Sequence, residues 1–249
     1  MRLASKLLPF LLFACSAVLP AQQVREQPPQ YSGPFTIVPG VFVTPIPGEP
    51  FSATVMIESK QPLADGSVDT RVSQTMIARD SRGRIRNERH MLMPAGIKGT
   101  PPLISVLVFD PATRISHIFN PATMIAREMV VPPPSSEPAF NNGKIEDLGY
   151  STLNGMQAKG TRTTRIVPSP VSGTGKPVTV TDEVWYSEEL HLNLMEEHTD
   201  VRGGRQTVAI LSIKRDEPEP ALFEVPAGYR IVDMTPPQIA PIAAQVLGR

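Results

Sequence analysis

From Phe51 onward the chain alternates apolar and polar residues with a period of two. Phe51, Ala53, Val55 and Ile57 fall on one side of an extended backbone, and Ser52, Thr54 and Glu58 on the other, which predicts a half-buried strand. Ala64-Asp65-Gly66-Ser67 supplies a turn, and a long second strand is expected from about Val68 to Ala78, with Val72 and Met76 inward. Asp80-Ser81-Arg82-Gly83 then turns the chain into a polar strand, Arg84 to His90. Ile104 to Phe109 is continuously apolar and β-branched, the composition of a central strand covered on both faces. Asp110-Pro111-Ala112-Thr113 ends it, Ile115 to Phe119 returns, and Asn120-Pro121-Ala122-Thr123 ends that strand in turn. Short meander connections follow from this spacing.

The second half of the chain repeats the pattern. Asn154-Gly155, between Ile145–Leu153 and Met156–Ile166, is a strong hairpin signal because both turn positions need positive φ. Past a Pro/Gly loop at 168–177, Val178, Val180, Val184 and Tyr186 alternate with Thr179, Thr181, Glu183 and Trp185. Leu190, Leu192 and Leu194 alternate with His191 and Asn193, and Ala209, Leu211 and Ile213 with Val208, Ile210 and Ser212. These are three successive antiparallel strands, joined at Ser187-Glu188-Glu189 and Arg202-Gly203-Gly204. The apolar i, i+3, i+4 pattern of an amphipathic helix is confined to short windows such as Gln238 to Leu247. The expected fold is mainly β, a single antiparallel sheet with few short helices.

The ends read differently. Arg2 and Lys6, an apolar run from Leu7 to Leu19, and Pro20-Ala21-Gln22 follow the order of a secretory signal peptide, with cleavage expected after Ala21. The run is short for a membrane span and is broken by Pro9, so no transmembrane segment is expected in the mature chain. Leu12-Phe13-Ala14-Cys15 approximates a lipobox, which makes Cys15 a lipidation candidate against the plainer reading of a cysteine within the apolar region. The expectation is a protein exported to the periplasm or beyond, soluble or lipid-anchored. Once the leader is removed no cysteine remains for disulfides, so the core must stabilise the fold. Residues 22–50 form a Pro-rich extended arm, 51–233 the β domain and 234–249 a C-terminal tail. The mid-chain stretch 130–142, with Pro132-Pro133-Pro134, reads as a crossing loop in preference to a domain linker.

Charge narrows the partners. Lys plus Arg equal Asp plus Glu at 24 each, and loss of Arg2 and Lys6 leaves a slight negative excess. Because the basic residues are interspersed with acids and form no concentrated positive surface, neither nucleic acid binding nor adsorption to anionic lipid is expected.

Several segments carry a family resemblance: RDSRGRIRNE (79–88), VFDPATRISHIFNPATMIAR (108–127), LGYSTLNGMQAKGTRTTRIVP (148–168), DEVWYSEELHLNLMEEHTD (182–200) and IKRDEPEPALFEVPAGYRIVD (213–233). Together they resemble a family of exported bacterial proteins of unassigned function, similar in architecture to the LolA/LolB/RseB-like lipoprotein-carrier superfamily. The resemblance implies a strongly curved antiparallel sheet, a LolA-like half-open barrel, whose concave side holds acyl chains under a helical lid. The sequence departs from true carriers in lacking long lid helices.

The residues themselves offer little catalytic chemistry. Glu188-Glu189 and Glu196-Glu197 are adjacent pairs, and neighbours on a strand point to opposite faces, so neither pair converges on a substrate. His191 and His198 are separated by an odd number of residues and would face opposite sides of an unbroken strand, which only a bulge would change. Ser172-Gly173-Thr174-Gly175-Lys176 is followed by Pro177 where a phosphate loop needs Ser or Thr, and Gly149-Tyr150-Ser151-Thr152-Leu153 lacks the second glycine of a nucleophile elbow. No catalytic residue, metal site or cofactor is expected. Trp185, Tyr186 and Phe223 are the candidates to line an apolar cleft, against the alternative that each is plain core. Arg162, Thr163, Thr164 and Arg165 could meet an anionic head group or simply form a solvated sheet face. Two functions are consistent with this: binding of an apolar ligand, lipid or lipoprotein, or an envelope protein-docking and regulatory module, sigma-E-regulator-like, with a filled core.

Overall fold

The computed structural model describes residues 41–133 and 143–235. All of these lie in one compact unit. The expected signal peptide with Cys15, most of the expected arm, part of the crossing loop and residues 236–249 of the tail lie outside the described residues. The strands are β1 (Phe51–Pro62), β2 (Val68–Arg79), β3 (Ile85–His90), β4 (Met93–Pro94), β5 (Leu103–Asp110), β6 (Ile115–Asn120) and β7 (Ile125–Val130), followed by β8 (Lys144–Leu153), β9 (Met156–Val167), β10 (Val178–Ser187), β11 (Leu192–Asp200), β12 (Gly204–Lys214) and β13 (Arg230–Asp233). They build one sheet in the order β13-β7-β6-β5-β3-β2-β1-β12-β11-β10-β9-β8, with β4 attached to β2. Every pairing is antiparallel except β13 with β7. The order does not return on itself, so the sheet stays open, with β13 and β8 at its edges. Among the described residues helix is limited to a short turn at Ser169–Ser172 and a 3-10 turn at Pro220–Phe223.

Local chemistry explains the meander. In both Asp110-Pro111-Ala112-Thr113 and Asn120-Pro121-Ala122-Thr123 the first side chain accepts the amide hydrogen two residues on, at 2.9 Å for Asp110 and 2.8 Å for Asn120. The residue after each turn, Arg114 or Met124, takes a left-handed conformation that returns the chain into the next strand. Asn154 and Gly155 both have positive φ, at 50° and 78°, as the hairpin between β8 and β9 requires.

The faces of three strands differ from the periodicity reading. On β2 Ser73, Thr75, Ile77 and Arg79 are buried on one face and Ala78 on the other, while Val72 and Met76 are only half-buried. Register decides this: Ala53 opposes Ile77, Val55 opposes Thr75 and Phe51 opposes Arg79, so the β1 core side carries the polar residues of β2 inward. β5 is central but only partly covered on its two faces: Val106 and Val108 are buried on one and Phe109 on the other, while Ile104 and Leu107 are half-buried. On β12 Val208 and Ile210 are buried, and a bulge against Thr54/Val55 leaves Leu211 without a partner and exposed.

Two cores result. The larger gathers Val41, Val43, Phe51, Val55, Ile57, Ile77, Leu192, Leu194 and Ile210, and the smaller Ala78, Val106, Val108, Phe119, Ala126 and Phe223.

Candidate functional site

Following the register from β2 to β7 separates the two faces of this half of the sheet. One face carries the rows Arg79–Ile85–Phe109–Ser116–Met129 and Ile77–Asn87–Leu107–Ile118–Arg127. The other carries Ala78–Arg86–Val108–His117–Glu128. The second face is closed by the segment that leads to β13. Phe223 is buried there, Leu222, Val225 and Tyr229 pack on the smaller core, and the Tyr229 ring stands edge-on to Phe119 with centroids 5.3 Å apart. Its arginine and both histidines each meet a carboxylate. Arg86 donates to Glu88 at 2.7 Å and to the Leu222 carbonyl at 2.8 Å, His90 meets Glu88 at 3.1 Å, and His117 meets Glu128 at 2.9 Å.

The first face is continuous with the larger core but is not closed along its length. Ile85, Phe109 and Ser116 are buried near the Arg79 end. Asn87, Leu107, Ile118, Ile125 and Met129 remain half-buried. Around this strip stand Arg89, Arg127 and Arg230, all exposed. Arg89 pairs in register with Ser105, Arg127 with Ile118 and Arg230 with Ile125, so all three side chains project on the same side as Leu107 and Ile118. None of the three has a side-chain hydrogen bond or ion pair among the described residues.

The larger core is locked by a strap, residues 41–49. Val43 bridges Leu192 on the β11 edge that β12 does not occupy, and the Asn193 amide donates to the Phe42 carbonyl at 3.0 Å. The Phe42 amide donates to Glu196 Oε1 at 3.2 Å, and Asn193 Nδ2 donates to the same oxygen at 2.6 Å. Burial pushes the Glu196 carboxyl up, against these two bonds. Arg79, fully buried, donates to the carbonyls of Thr44 at 2.8 Å, Glu49 at 2.9 Å and Leu190 at 2.9 Å, and to the Glu49 carboxylate at 3.2 Å. Burial pulls its pKa down, and Glu49 opposes this. Gly83 fits under the strap: a Cβ there would sit 2.9 Å from the Ile46 carbonyl carbon.

The three aromatic candidates fall in three settings. Trp185 packs partly buried on the larger core, its indole over Gly160, where a Cβ would approach it to 2.8 Å. Its Nε1 donates to Glu183 at 2.7 Å, and Arg162 holds the other oxygen of that carboxylate at 2.8 Å. Burial works to raise the Glu183 pKa, but these bonds outweigh it and hold the carboxyl below its ordinary value. Tyr186 is half-buried beside the strap, its hydroxyl 3.3 Å from His191 Nδ1, and burial raises its pKa. Phe223 belongs to the smaller core, under the Arg84 guanidinium at 4.8 Å. The structure therefore does not bring Phe223 together with Trp185 and Tyr186. Arg162 and Arg165 are engaged by Glu183 and Asp182. His198 lies 2.6 Å from Asp182, whereas His191 faces Tyr186. Among the described residues no group of three metal-binding side chains forms, and no helix is long and apolar enough to cross a membrane.

Sequence reasoning missed the strip at Leu107, Ile118 and Met129. The signal was present in the unpaired parity of Arg89 and Arg127, but it becomes readable only once register puts them on one face.

No family model and no curated protein matches the chain. Among solved structures it is similar to an uncharacterised conserved protein of Thermus thermophilus, at 13% identity over 74% of this chain and 90% of that one, with a TM-score of 0.41. It is also similar to a chain in the Pseudomonas aeruginosa MucA/MucB complex, at 14% identity over 74% of this chain but only 58% of the other, with a TM-score of 0.42. A LolA superfamily protein of Nitrosomonas europaea follows at 12% identity, 72% and 91% coverage and a TM-score of 0.31. These are likenesses of chain path and assign no activity.

Proposed function

We propose that this protein is an exported, non-catalytic cell-envelope protein that binds an apolar ligand, lipid or lipoprotein on the half-open face of its sheet. The observation that carries the reading is the strip Leu107, Ile118 and Met129, left half-buried on a face whose continuation in β1, β2 and β12 is closed core. Apolar surface held on paired central strands is a rigid platform, and ordering cost on binding is small where the receptor is already ordered. The leader-like order of residues 1–21 supports export. Trp185 and Tyr186 stand outside the strip and act in this reading as supports of the strap and larger core, while Phe223 seals the opposite face.

Calorimetry of the delipidated protein with a long-chain lysophospholipid tests this. Binding with a negative heat-capacity change is expected, and Ile118→Glu should abolish it while leaving the thermal midpoint within a few degrees. Absence of binding in the unaltered protein overturns the reading and leaves a protein-docking module in its place.

A further inference from the structure

Charge on the two faces of β3–β7 is distributed unequally. On the closed face Arg86 and His90 share the Glu88 carboxylate, His117 meets Glu128, and Asp110 accepts the Ala112 amide. On the half-open face Arg89, Arg127 and Arg230 stand exposed without a carboxylate partner, and no carboxylate occupies that face of β3, β5, β6 or β7. The contrast is sharp because the chain readily pairs arginines elsewhere, as at Arg162 with Glu183 or Arg205 with Glu197. Three guanidinium groups on one apolar strip repel one another and raise the local potential. A guanidinium left free is also a fork of donors suited to a carboxylate or phosphate.

Their spacing fits an amphiphile. Strands lie about 4.8 Å apart, so β3 to β7 spans about 14 Å. Arg127 ends the row Asn87–Leu107–Ile118–Arg127, and Arg89 stands on the opposite side of the span, two residues along β3 from Asn87 and in register with Ser105. Arg230 continues the cationic margin onto β13. Asn87 and Ser105, half-buried between Arg89 and the apolar residues, add polar groups at the same margin.

We infer that the ligand of this face is an anionic lipid, its chain laid on Leu107, Ile118 and Met129 and its acidic head group held by Arg89, Arg127 and Arg230. This rests on the proposed function and adds the sign of the head group to it. The cations select among amphiphiles, and the apolar strip binds them.

The test compares two lysophospholipids of the same acyl chain, lysophosphatidylglycerol and lysophosphatidylcholine, below their micellar concentrations, with the deacylated glycerophosphoglycerol as a third arm. The anionic lipid should bind at least tenfold more tightly at low salt, and the preference should shrink severalfold in concentrated salt. The deacylated head group should bind too weakly to detect. In the triple variant Arg89→Gln, Arg127→Gln, Arg230→Gln, affinity for the anionic lipid should fall to that for the zwitterionic one, whose own affinity stays within twofold. The paired control Arg162→Gln should leave the preference intact. Equal binding of both lipids to the unaltered protein, or a preference that survives the triple variant, overturns this inference and leaves apolar binding standing. Failure of both lipids to bind overturns the proposed function and this inference with it.

Discussion

In β1, β2 and β12 the face that bears Val55, Ile77 and Ile210 is closed, whereas in β3, β5, β6 and β7 the same face stays half-buried beyond Ile85, Phe109 and Ser116 and the reverse side is sealed by Leu222, Phe223, Val225 and Tyr229. One continuous sheet thus changes which side is its interior. The strands in the first half are long and their inward positions reach full burial, so stability resides there. In the second half a short segment between β12 and β13 supplies the cover, and it covers only one side. Stability and binding are therefore separable: a change on the half-open strip should alter affinity with little effect on folding, and a change in the larger core should do the reverse.

The largest expected effect is at Arg79. Arg79→Met removes the donor to three carbonyls and the Glu49 carboxylate, and leaves these groups without their cation in a buried setting. The expected loss is about 3–5 kcal/mol, read as a fall in the urea midpoint together with faster proteolysis within the strap. A fall no greater than that of Arg127→Met would show that the strap is not what closes the first half.

Matched truncations sharpen the comparison at intermediate size. Ile210→Ala should cost about 2–5 kcal/mol because it opens a cavity in closed core. Ile118→Ala, on the half-open strip, should cost less than about 1 kcal/mol. Equal costs from denaturant curves would mean the two halves are equally closed.

The smallest effect concerns Glu196. Its folded pKa is raised by burial, so the protonated form is favoured in the folded state, and its contribution is most favourable below the unfolded value of about 4.3 and is lost as pH rises through the folded one. Glu196→Gln can still accept the Phe42 amide and does not bury a charge. It should be more stable than the parent at pH 7–8 by up to about 1 kcal/mol, an advantage that vanishes toward pH 4 in thermal melts. A variant less stable at every pH would show that the ionised carboxylate is the required latch.

Much of this architecture was legible in the sequence. The alternation of β1, the two Asx-Pro turns and Asn154-Gly155 state their own structure, because each encodes a local hydrogen bond or a required φ. Sidedness was harder wherever polar residues turn inward. Ser73 and Thr75 read as solvent-facing by type, yet pairing with Ile57 and Val55 buries them, and the Ser73 hydroxyl has no partner among the described residues. On β12 both parities are apolar, so alternation has no contrast and the bulge at Leu211 leaves no mark in composition. β13 is four residues long and its pairing is parallel and remote in sequence, which no local pattern reports. The aromatic candidates were selected for ring size, but a ligand face is defined by which rings stay uncovered, and that depends on the cover.

The repeated turn of the meander also bears on how the chain finds its fold. β5, β6 and β7 join through connections whose geometry is set by the Asp110 and Asn120 side chains, so their contacts close over short stretches of chain. The pairing of β1 with β12, which builds the larger core, joins residues about twelve times farther apart in sequence than the Val106–Phe119 pair, and closing that loop costs about 2 kcal/mol more in chain entropy. The half of the sheet that stays open is therefore the one assembled from neighbours, and the half that holds the molecule together is the one that must wait for the end of the chain.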